Sequence, residues 1–269
     1  VCAQAPTGMG KTVVISNMMK QASLKNKWAI FGVHRRELIK QTSITFRKFD
    51  IPHGIIAPGF APNPYERIQI ASIDTLRSRL RRGKKMPAAD LYCPDEAHHC
   101  VAPSWASVAN HYSEAFIVGP TATPQRTDGK GLDSQFDELV VGPSMRWLID
   151  NGHLSDYRAF APAEPDLSGV HTANGDFDKK ELEAALDDPK IIGDAVMHYL
   201  KIARGKKFIA RHVSIKKSLQ LAEAFRSAGI ECWHVDGNTD QTERDRAMED
   251  FRRGDLDGRL GQTLLLHNL

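Results

Sequence analysis

The sequence Ala-Pro-Thr-Gly-Met-Gly-Lys-Thr at residues 5–12 constrains the fold more than any other stretch of the chain. It lies between an apolar start at Val1 and a second apolar run at residues 13–15. Gly8 and Gly10 allow a tight turn whose N–H groups point inward, and the helix that follows presents its positive end to a phosphate. The sequence therefore predicts a nucleoside-triphosphate site between a buried strand and a helix.

The last two residues of this loop carry the chemistry. Lys11 would place a positive charge on the outer phosphates, and Thr12 would offer a hydroxyl to Mg²⁺. The loop begins with Ala5, where the general pattern has glycine. An ordinary glycine-containing turn would explain the two glycines, but it leaves the adjacent lysine and threonine unexplained.

A second site candidate is the acidic pair Asp95 and Glu96, which follows the apolar residues 91–93. At the end of a strand, one carboxylate can steady Mg²⁺ while its neighbour orients and deprotonates water. Acidic pairs are common on protein surfaces, so the pair alone is weak evidence. A phosphate loop on another strand of the same predicted sheet strengthens this interpretation.

Short apolar runs alternate with helical patterns through the first 150 residues, which predicts an α/β fold with a parallel sheet and helices on both faces. We expect a first domain at 1–160, a linker at 161–188 and part of a second α/β domain at 189–269. A helix beginning at Met145 is expected to bury Trp147 and Leu148.

Composition adds few constraints. The formal charge of +3 permits a nucleic-acid partner without requiring one, and no apolar run approaches the ~20 residues that span a bilayer. The four scattered cysteines are typical of reduced thiols in the cytoplasm. Cys93, His98, His99 and Cys100 lie close together, but no second ligand pair has the spacing of a structural zinc site.

Two basic stretches are candidate phosphate contacts. His34, Arg35 and Arg36 follow the predicted strand 28–33, and ligands bind at the carboxyl ends of strands in open α/β sheets. A solvated helix start is the alternative interpretation. The run from Arg77 to Lys85 is also strongly basic, and such runs are more often solvated faces than nucleic-acid contacts.

The order of the motifs along the chain resembles that of superfamily 2 helicases of the DEAD/DEAH-box class, close to the DEAH-type helicases of bacteria and phages. The resemblance covers nearly the whole chain. It rests on the segments APTGMGKT, VHRREL, ASIDTL, DEAHH and TATP, followed by FIARHVSIKKSLQLAEAFRSAGIECWHVDGNT. Each segment is weak evidence alone, but their joint order and spacing are specific.

The resemblance implies a RecA-like domain followed by an incomplete second one, with ATP and Mg²⁺ as cofactors. Lys11 and Thr12 would hold the outer phosphates and the metal, Asp95 would secure the metal through water, and Glu96 would be the general base. The whole ATP-binding loop would be Pro6, Thr7, Gly8, Met9, Gly10, Lys11 and Thr12. Coupling to the strand-binding surface would involve His98, Thr121, Ala122 and Thr123. The nucleic-acid backbone would contact His34, Arg35, Arg36, Ser72, Asp74 and Thr75.

The implied function is an ATP-dependent helicase or translocase in the cytoplasm that moves on DNA rather than RNA, with no membrane partner. One alternative is the motor portion of a restriction or repair assembly, in which translocation rather than strand separation is the output. Another alternative is a decayed module that binds nucleotide or nucleic acid without turnover.

Some features depart from the family pattern. The motif that reads adenine is not present before the loop, no arginine-finger motif follows residue 255, and the tail 258–269 does not match the next motif. Pro94 and Pro120 stand where the family carries aliphatic residues, immediately before Asp95 and Thr121. These features lead us to expect a helicase fragment truncated at both ends.

We therefore predict that the 269-residue chain hydrolyses ATP poorly, even with single-stranded DNA present. A transition-state arginine contributes a factor of ~10³ or more to phosphoryl transfer, and this chain shows no motif that would supply one. Phosphate release measured with and without DNA tests the prediction. Robust DNA-stimulated turnover would contradict it.

Overall fold

The computed structural model describes residues 1–125, 131–160, 167–173, 176–185, 195–212, 214–253 and 263–267. The chain divides into two compact units, Val1–Tyr157 and Arg158–Leu269. The division lies close to residue 160, where the sequence predicts the end of the first domain. The predicted domain start at residue 189 falls outside the described residues.

The first unit is built on parallel strands. They are β1 (Cys2–Gln4), β2 (Ala29–Val33), β3 (Gly54–Ile56), β4 (Ile68–Ser72), β5 (Leu91–Pro94), β6 (Phe116–Ile117), β7 (Gly119–Thr121) and β8 (Leu139–Val141). Hydrogen bonds join them in the orders β3-β4-β2-β5-β6 and β7-β1-β8, and every pair is parallel. Since β6 and β7 are separated only by Val118, they form one extended segment that links the two sets of strands.

Helices cover both faces of this sheet. They are α1 (Lys11–Leu24), α2 (Arg36–Lys48), α3 (Ile73–Arg81), α4 (Pro103–His111) and α5 (Met145–Asp150), with a 3₁₀ turn at Ala97–Val101. One core contains Met19 of α1, Phe46 of α2 and Phe31 of β2. The opposite core contains residues of α3 and α4 together with Ile30 and Tyr92. Alternate residues of β2 thus enter different cores, and the predicted α/β class with helices on both faces is confirmed.

One predicted buried anchor is wrong. Leu148 of α5 is 4% exposed, as expected, but Trp147 is 49% exposed and stacks on the ring of His153. A helix of this length presents one narrow face to the sheet, so two consecutive residues cannot both occupy its centre. Among the described residues, no helix has the length and apolar character needed to cross a bilayer.

The second unit begins with the hairpin β9 (Thr172–Ala173) and β10 (Asp176–Phe177), followed by α6 (Lys179–Ala185) and a π-helical turn at Tyr199–Ala203. Then come β11 (Phe208–His212), α7 (Ile215–Ser227), β12 (Cys232–Val235), α8 (Gln241–Arg253) and β13 (Thr263–His267). The parallel sheet has the order β11-β13-β12, so the tail supplies its central strand. Sequence analysis did not predict that strand.

Two prolines interrupt the first sheet between β5 and β7. The N–H groups of Phe116 and Val118 donate to the carbonyls of Asp90, just before β5, and Tyr92 within it, so the N–H groups of even-numbered residues in this segment point toward β5. The next residue in that alternation is Pro120, which has no N–H. On β5, the residue whose N–H would donate to the β6–β7 segment at this point is Pro94, which also has no N–H. The two hydrogen bonds that the prolines cannot donate would therefore both lie between β5 and the β6–β7 segment, beside the residues that carry the predicted chemistry.

We predict that Pro94→Ile combined with Pro120→Leu raises the melting temperature. Each change restores a backbone donor, from residue 94 to the Val118 carbonyl and from residue 120 to the residue 94 carbonyl. A net hydrogen bond contributes about 1 kcal/mol, and losing proline offsets part of this by freeing the unfolded chain. Thermal unfolding should show a rise of roughly 2–4 °C.

The control replaces two exposed loop prolines, Pro62→Leu and Pro64→Leu, which restore no rung of the sheet. That variant should melt at or slightly below the temperature of the parent chain. A lower melting temperature for the Pro94/Pro120 variant would contradict the prediction.

Candidate functional site

The loop at residues 5–12 follows β1 and leads into α1. Gly8 and Gly10 adopt φ angles of 87° and 92°, a conformation that favours glycine. A Cβ atom at Gly8 would lie 2.6 Å from Cδ2 of Leu154, so a larger residue there would have to displace that side chain. Lys11 Nζ donates to the carbonyl of Ala5 at 3.2 Å, which folds this side chain back over the loop.

The start of α1 is suited to an anion. Gly10 is its N-cap and supplies no side-chain acceptor, and the first turn contains no acidic residue. The free N–H groups and the positive end of the helix dipole are therefore left to a ligand, with Lys11 beside them. These features fit a polyphosphate, and the hydroxyl of Thr12 fits a hard cation such as Mg²⁺.

The acidic pair lies just beyond the end of β5. The N–H of Asp95 donates to the carbonyl of Gly32 at 2.8 Å, which fixes its backbone to β2. Burial and the neighbouring charge of Glu96 raise the pKa of Asp95, and the positive charge of Lys11 opposes that rise. Lys11 and Asp95 are therefore close enough to interact, although they follow strands that are not adjacent.

Thr121 joins the phosphate loop to the acidic pair. Its carbonyl accepts from the N–H of Ala5 at 2.8 Å, and its hydroxyl is hydrogen-bonded to Nδ1 of His98 at 2.9 Å. The same His98 nitrogen lies 3.4 Å from Oε2 of Glu96. Thr121 is fully buried, and its Oγ1 also accepts from the N–H of Thr123 at 3.2 Å. Polar contacts thus run from the loop to Glu96.

Glu96 has an unusual backbone conformation. Its φ and ψ angles of 52° and 57° place it in the left-handed region, where a side chain with a Cβ atom is disfavoured. Such strain is concentrated at functional sites, where the surrounding structure enforces it. Here the turn carries the chain from β5 into the 3₁₀ turn that begins at Ala97.

An aromatic cluster lies next to His98. The ring of His99 is 4.2 Å from that of His98, 5.1 Å from Trp105 and 5.9 Å from His34. Burial lowers the pKa of both His34 and His99, and neighbouring positive groups add to the effect. Nδ1 of His34 is buried and has no hydrogen-bond partner among the described residues.

A groove of about 610 Å³ lies between the starts of α2 and α3 and the loop after β3. Five of the six residues assigned to the nucleic-acid backbone line it: His34, Arg36, Ser72, Asp74 and Thr75. Arg35 is not among its lining residues, and its Nε donates to His34 Nε2 at 3.2 Å. The guanidinium of Arg36 lies 5.7 Å from the ring centre of Phe60, which restrains it at the groove wall.

The cysteines near the acidic pair are buried and free. Burial raises the pKa of the Cys93 and Cys100 thiols to about 12, so both are protonated at neutral pH. Cys93 packs with the α1 and α2 core, whereas Cys100 packs with Cys2, Ala97 and Phe136. Within the part of the chain that the structure describes, no group of three or more His, Cys, Asp or Glu residues could hold a metal ion.

Comparison with known proteins is consistent with this geometry. Residues 1–126 match the family model of the type III restriction enzyme res subunit. A 51.5 kDa protein of a Lactococcus phage is 34% identical over 251 residues, which cover 93% of this chain and 52% of the phage protein. These similarities support the resemblance to superfamily 2 helicases that the motif order indicates.

Further relatives are helicases and a translocase. IRC3 of Saccharomyces cerevisiae, described as an ATP-dependent helicase, is 27% identical over 93% of this chain and 39% of its own length. The DNA 3'-5' translocase XPB2 of Sulfurisphaera tokodaii is 31% identical over 51% of this chain and 29% of its own length. The chain thus spans about half the length, or less, of the curated relatives that it matches.

The fold itself has close structural neighbours. A structure of Saccharomyces cerevisiae Dbp5 superposes with a TM-score of 0.61 and 18% identity, covering 100% of this chain and 64% of the Dbp5 chain. At this level of identity the similarity concerns the fold alone. It confirms the RecA-like architecture that the motif order implies.

Sequence analysis missed several residues around the site. Leu154, which packs on the phosphate loop, lies beyond α5 in a segment without a motif. Trp105 gave no signal, because one tryptophan on a short helix is typical of a core position. The sequence suggests only a possible zinc-ligand role for His99, although its position next to His98 also allows the ring contact that the structure shows.

We predict that Glu96→Gly is more stable than Glu96→Gln. Both changes remove the charge beside Asp95, but only glycine relieves the left-handed strain, which costs roughly 1–2 kcal/mol for other residues. The greater freedom of glycine in the unfolded chain offsets part of this gain. Thermal unfolding of the two variants should differ by about 1–4 °C in favour of Gly. Equal or reversed melting temperatures would show that the turn is not strained.

Proposed function

We propose that this chain is the motor core of an ATP-dependent helicase or translocase, which couples hydrolysis of Mg²⁺–ATP to movement on DNA. The observation that carries the proposal is the set of polar contacts that runs from Ala5 through Thr121 to His98 and Glu96. This set connects a phosphate-binding turn with the carboxylate of Glu96, a residue whose backbone is strained. The charge interaction between Lys11 and Asp95 supports the same conclusion.

Each residue of the site has a distinct role in this proposal. The N–H groups of Gly8 and of residues 10–12 and the ammonium of Lys11 hold the phosphates, where they offset the negative charge that develops on the outer oxygens. Thr12 and Asp95 would hold Mg²⁺, which supplies further charge neutralisation when it is bound. Glu96 accepts the proton of the attacking water.

The raised pKa of Asp95 gives Lys11 a second role. Burial disfavours the charged carboxylate, and a protonated carboxyl group is a poor ligand for a metal ion. The N–H of Glu96 and, to a smaller extent, the ammonium of Lys11 favour the charged form. Lys11 therefore helps to keep Asp95 competent to bind the metal, in addition to its contact with phosphate.

The nucleic-acid partner is proposed to lie in the groove lined by His34, Arg36 and Thr75. These side chains can reach backbone phosphates, which carry no base sequence, so binding should depend on salt and not on sequence. DNA is preferred over RNA here because XPB2, one of the relatives, is a DNA translocase. His98 and Thr121–Thr123 would couple this groove to the ATP site.

A second candidate function is the motor portion of a restriction or repair assembly. It is favoured by the match of residues 1–126 to a restriction-enzyme subunit family. The two candidates differ in output, which two assays on the protein can separate. A translocase displaces a bound protein from duplex DNA without separating the strands, whereas a helicase releases single strands. We also propose a cytoplasmic location, because all four cysteines are free thiols.

We predict that Lys11→Ala weakens binding of a fluorescent ATP analogue by about tenfold or more. The change removes the cation that the structure places over the loop, and charge-assisted contacts contribute roughly 1.5–3 kcal/mol. Fluorescence anisotropy measured with Mg²⁺ present tests this prediction. The decayed-module alternative predicts the same loss of binding, so Glu96→Gln is needed as well. That variant should bind the analogue normally and abolish any residual hydrolysis.

The matched control is Lys20→Ala, on the same helix. Lys20 Nζ donates to the carbonyl of Phe49, in a contact unrelated to the phosphate loop. Its loss should leave nucleotide affinity unchanged. Unaltered affinity in Lys11→Ala, with the fold intact, would refute the proposed nucleotide site.

A further inference from the structure

The groove extends beyond the residues that the family motifs account for. Besides the motif residues, its lining includes Arg79, Arg82 and Lys84, at and after the end of α3. Thr75, Ser78, Arg79 and Arg82 follow the spacing i, i+3, i+4 and i+7, which forms one stripe along a helix. The buried Ile73 lies on the opposite face, and the buried Leu76 lies beside it. The helix therefore presents a continuous polar and basic stripe to the groove.

This geometry divides the basic run of residues 77–85 into two sets. Arg79, Arg82 and Lys84 line the groove, whereas Arg77, Arg81 and Lys85 are not among its lining residues. The turn after α3, at Gly83 with a φ of 61°, brings Lys84 back to the same groove. The sequence alone could not make this division, because all six residues are basic and close together.

The groove has an excess of unpaired positive charge. Asp74 is its only acidic lining residue within the described parts of the chain, and its Oδ1 pairs with Nη2 of Arg77 at 2.9 Å. Arg79 donates to the backbone carbonyl of Lys85, which adds no negative charge. Across the described ranges, no carboxylate forms an ion pair with Arg79, Arg82 or Lys84.

A structural role alone does not account for this arrangement. Cations near a helix C-terminus stabilise the helix through its dipole, and Arg79 and Arg81 would do so equally. That effect gives no reason for three of the six basic residues to share one concave surface with the motif residues. A polyanion that follows the groove gives such a reason.

We propose that Arg79, Arg82 and Lys84 form a phosphate-binding extension of the groove, which holds the backbone of a single strand beyond the motif residues. The proposal rests on the proposed function. The stripe from Thr75 to Arg82 covers about 10 Å at 1.5 Å per residue, which lengthens the contact surface along the strand. Because the contacts are to phosphates, they add affinity and salt dependence without sequence preference.

The test compares two double variants with the same change in net charge. Arg82→Gln with Lys84→Gln removes two cations from the groove, and Arg81→Gln with Lys85→Gln removes two neighbours outside it. Anisotropy of a labelled 20-nucleotide oligo-dT is measured at several salt concentrations. The groove variant should bind about tenfold more weakly. The slope of its plot of log K against log salt should be shallower by about 0.7 for each phosphate contact that is lost. The control should change affinity less than about twofold.

Further measurements separate binding from folding. Circular dichroism and thermal unfolding of both variants show whether α3 is intact. Hydrogen exchange of the unmodified chain, with and without oligo-dT, should show added protection at residues 79–84. Arg82→Lys should retain most of the affinity, since phosphate binding needs the charge more than the guanidinium shape.

The outcomes distinguish this proposal from the function on which it rests. Equal weakening in the two double variants would show a general charge effect and overturn the extension, while leaving the motor function intact. The extension would also fail if exchange protection were confined to residues 34–36 and 72–75. Absence of any oligo-dT binding by the parent chain would overturn both the extension and the proposed function.

Discussion

Hydrogen bonds of one buried threonine hold the candidate site together. Three strand ends meet at one edge of the parallel sheet, and Thr121 lies at the end of β7, which pairs with β1. Its carbonyl fixes the start of the phosphate loop, and its hydroxyl fixes His98. Polar contacts thus connect the acidic pair to the loop, which is the physical requirement for the proposed coupling.

Departures from regular structure are concentrated near this edge. Glu96 is held in a left-handed conformation, α1 begins without a side-chain cap, and Pro94 and Pro120 remove two rungs of the ladder. Each feature costs stability, whereas β2 and β4 in the centre of the sheet pair without interruption. Functional sites commonly contain such destabilising features, and the stability of the rest of the fold compensates for them. The prolines are a different case, since no role in the chemistry explains them.

Much of the fold and the motif positions could be predicted from the sequence, because they depend on local chemistry. The loop at residues 5–12 requires glycine, lysine and threonine in one order, and buried parallel strands read as apolar runs. What escaped prediction depends on tertiary packing. Examples are the exposure of Trp147, the contact of Leu154 with Gly8 and the strand at Thr263–His267. The division of the basic run is another, since it requires knowing which side of α3 faces the groove.

The central claim is that the phosphate loop and the acidic pair hold one Mg²⁺–triphosphate between them. Calorimetric titration with a non-hydrolysable ATP analogue, with and without Mg²⁺, tests it most directly in the parent chain, Asp95→Asn and Asp90→Asn. Asp90 is the matched control, since its carboxylate pairs with Lys27 next to the opposite end of β5. Mg²⁺ should strengthen binding by about tenfold or more, roughly 1.4 kcal/mol, in the parent and in Asp90→Asn but not in Asp95→Asn. Full Mg²⁺ enhancement in Asp95→Asn would contradict the account.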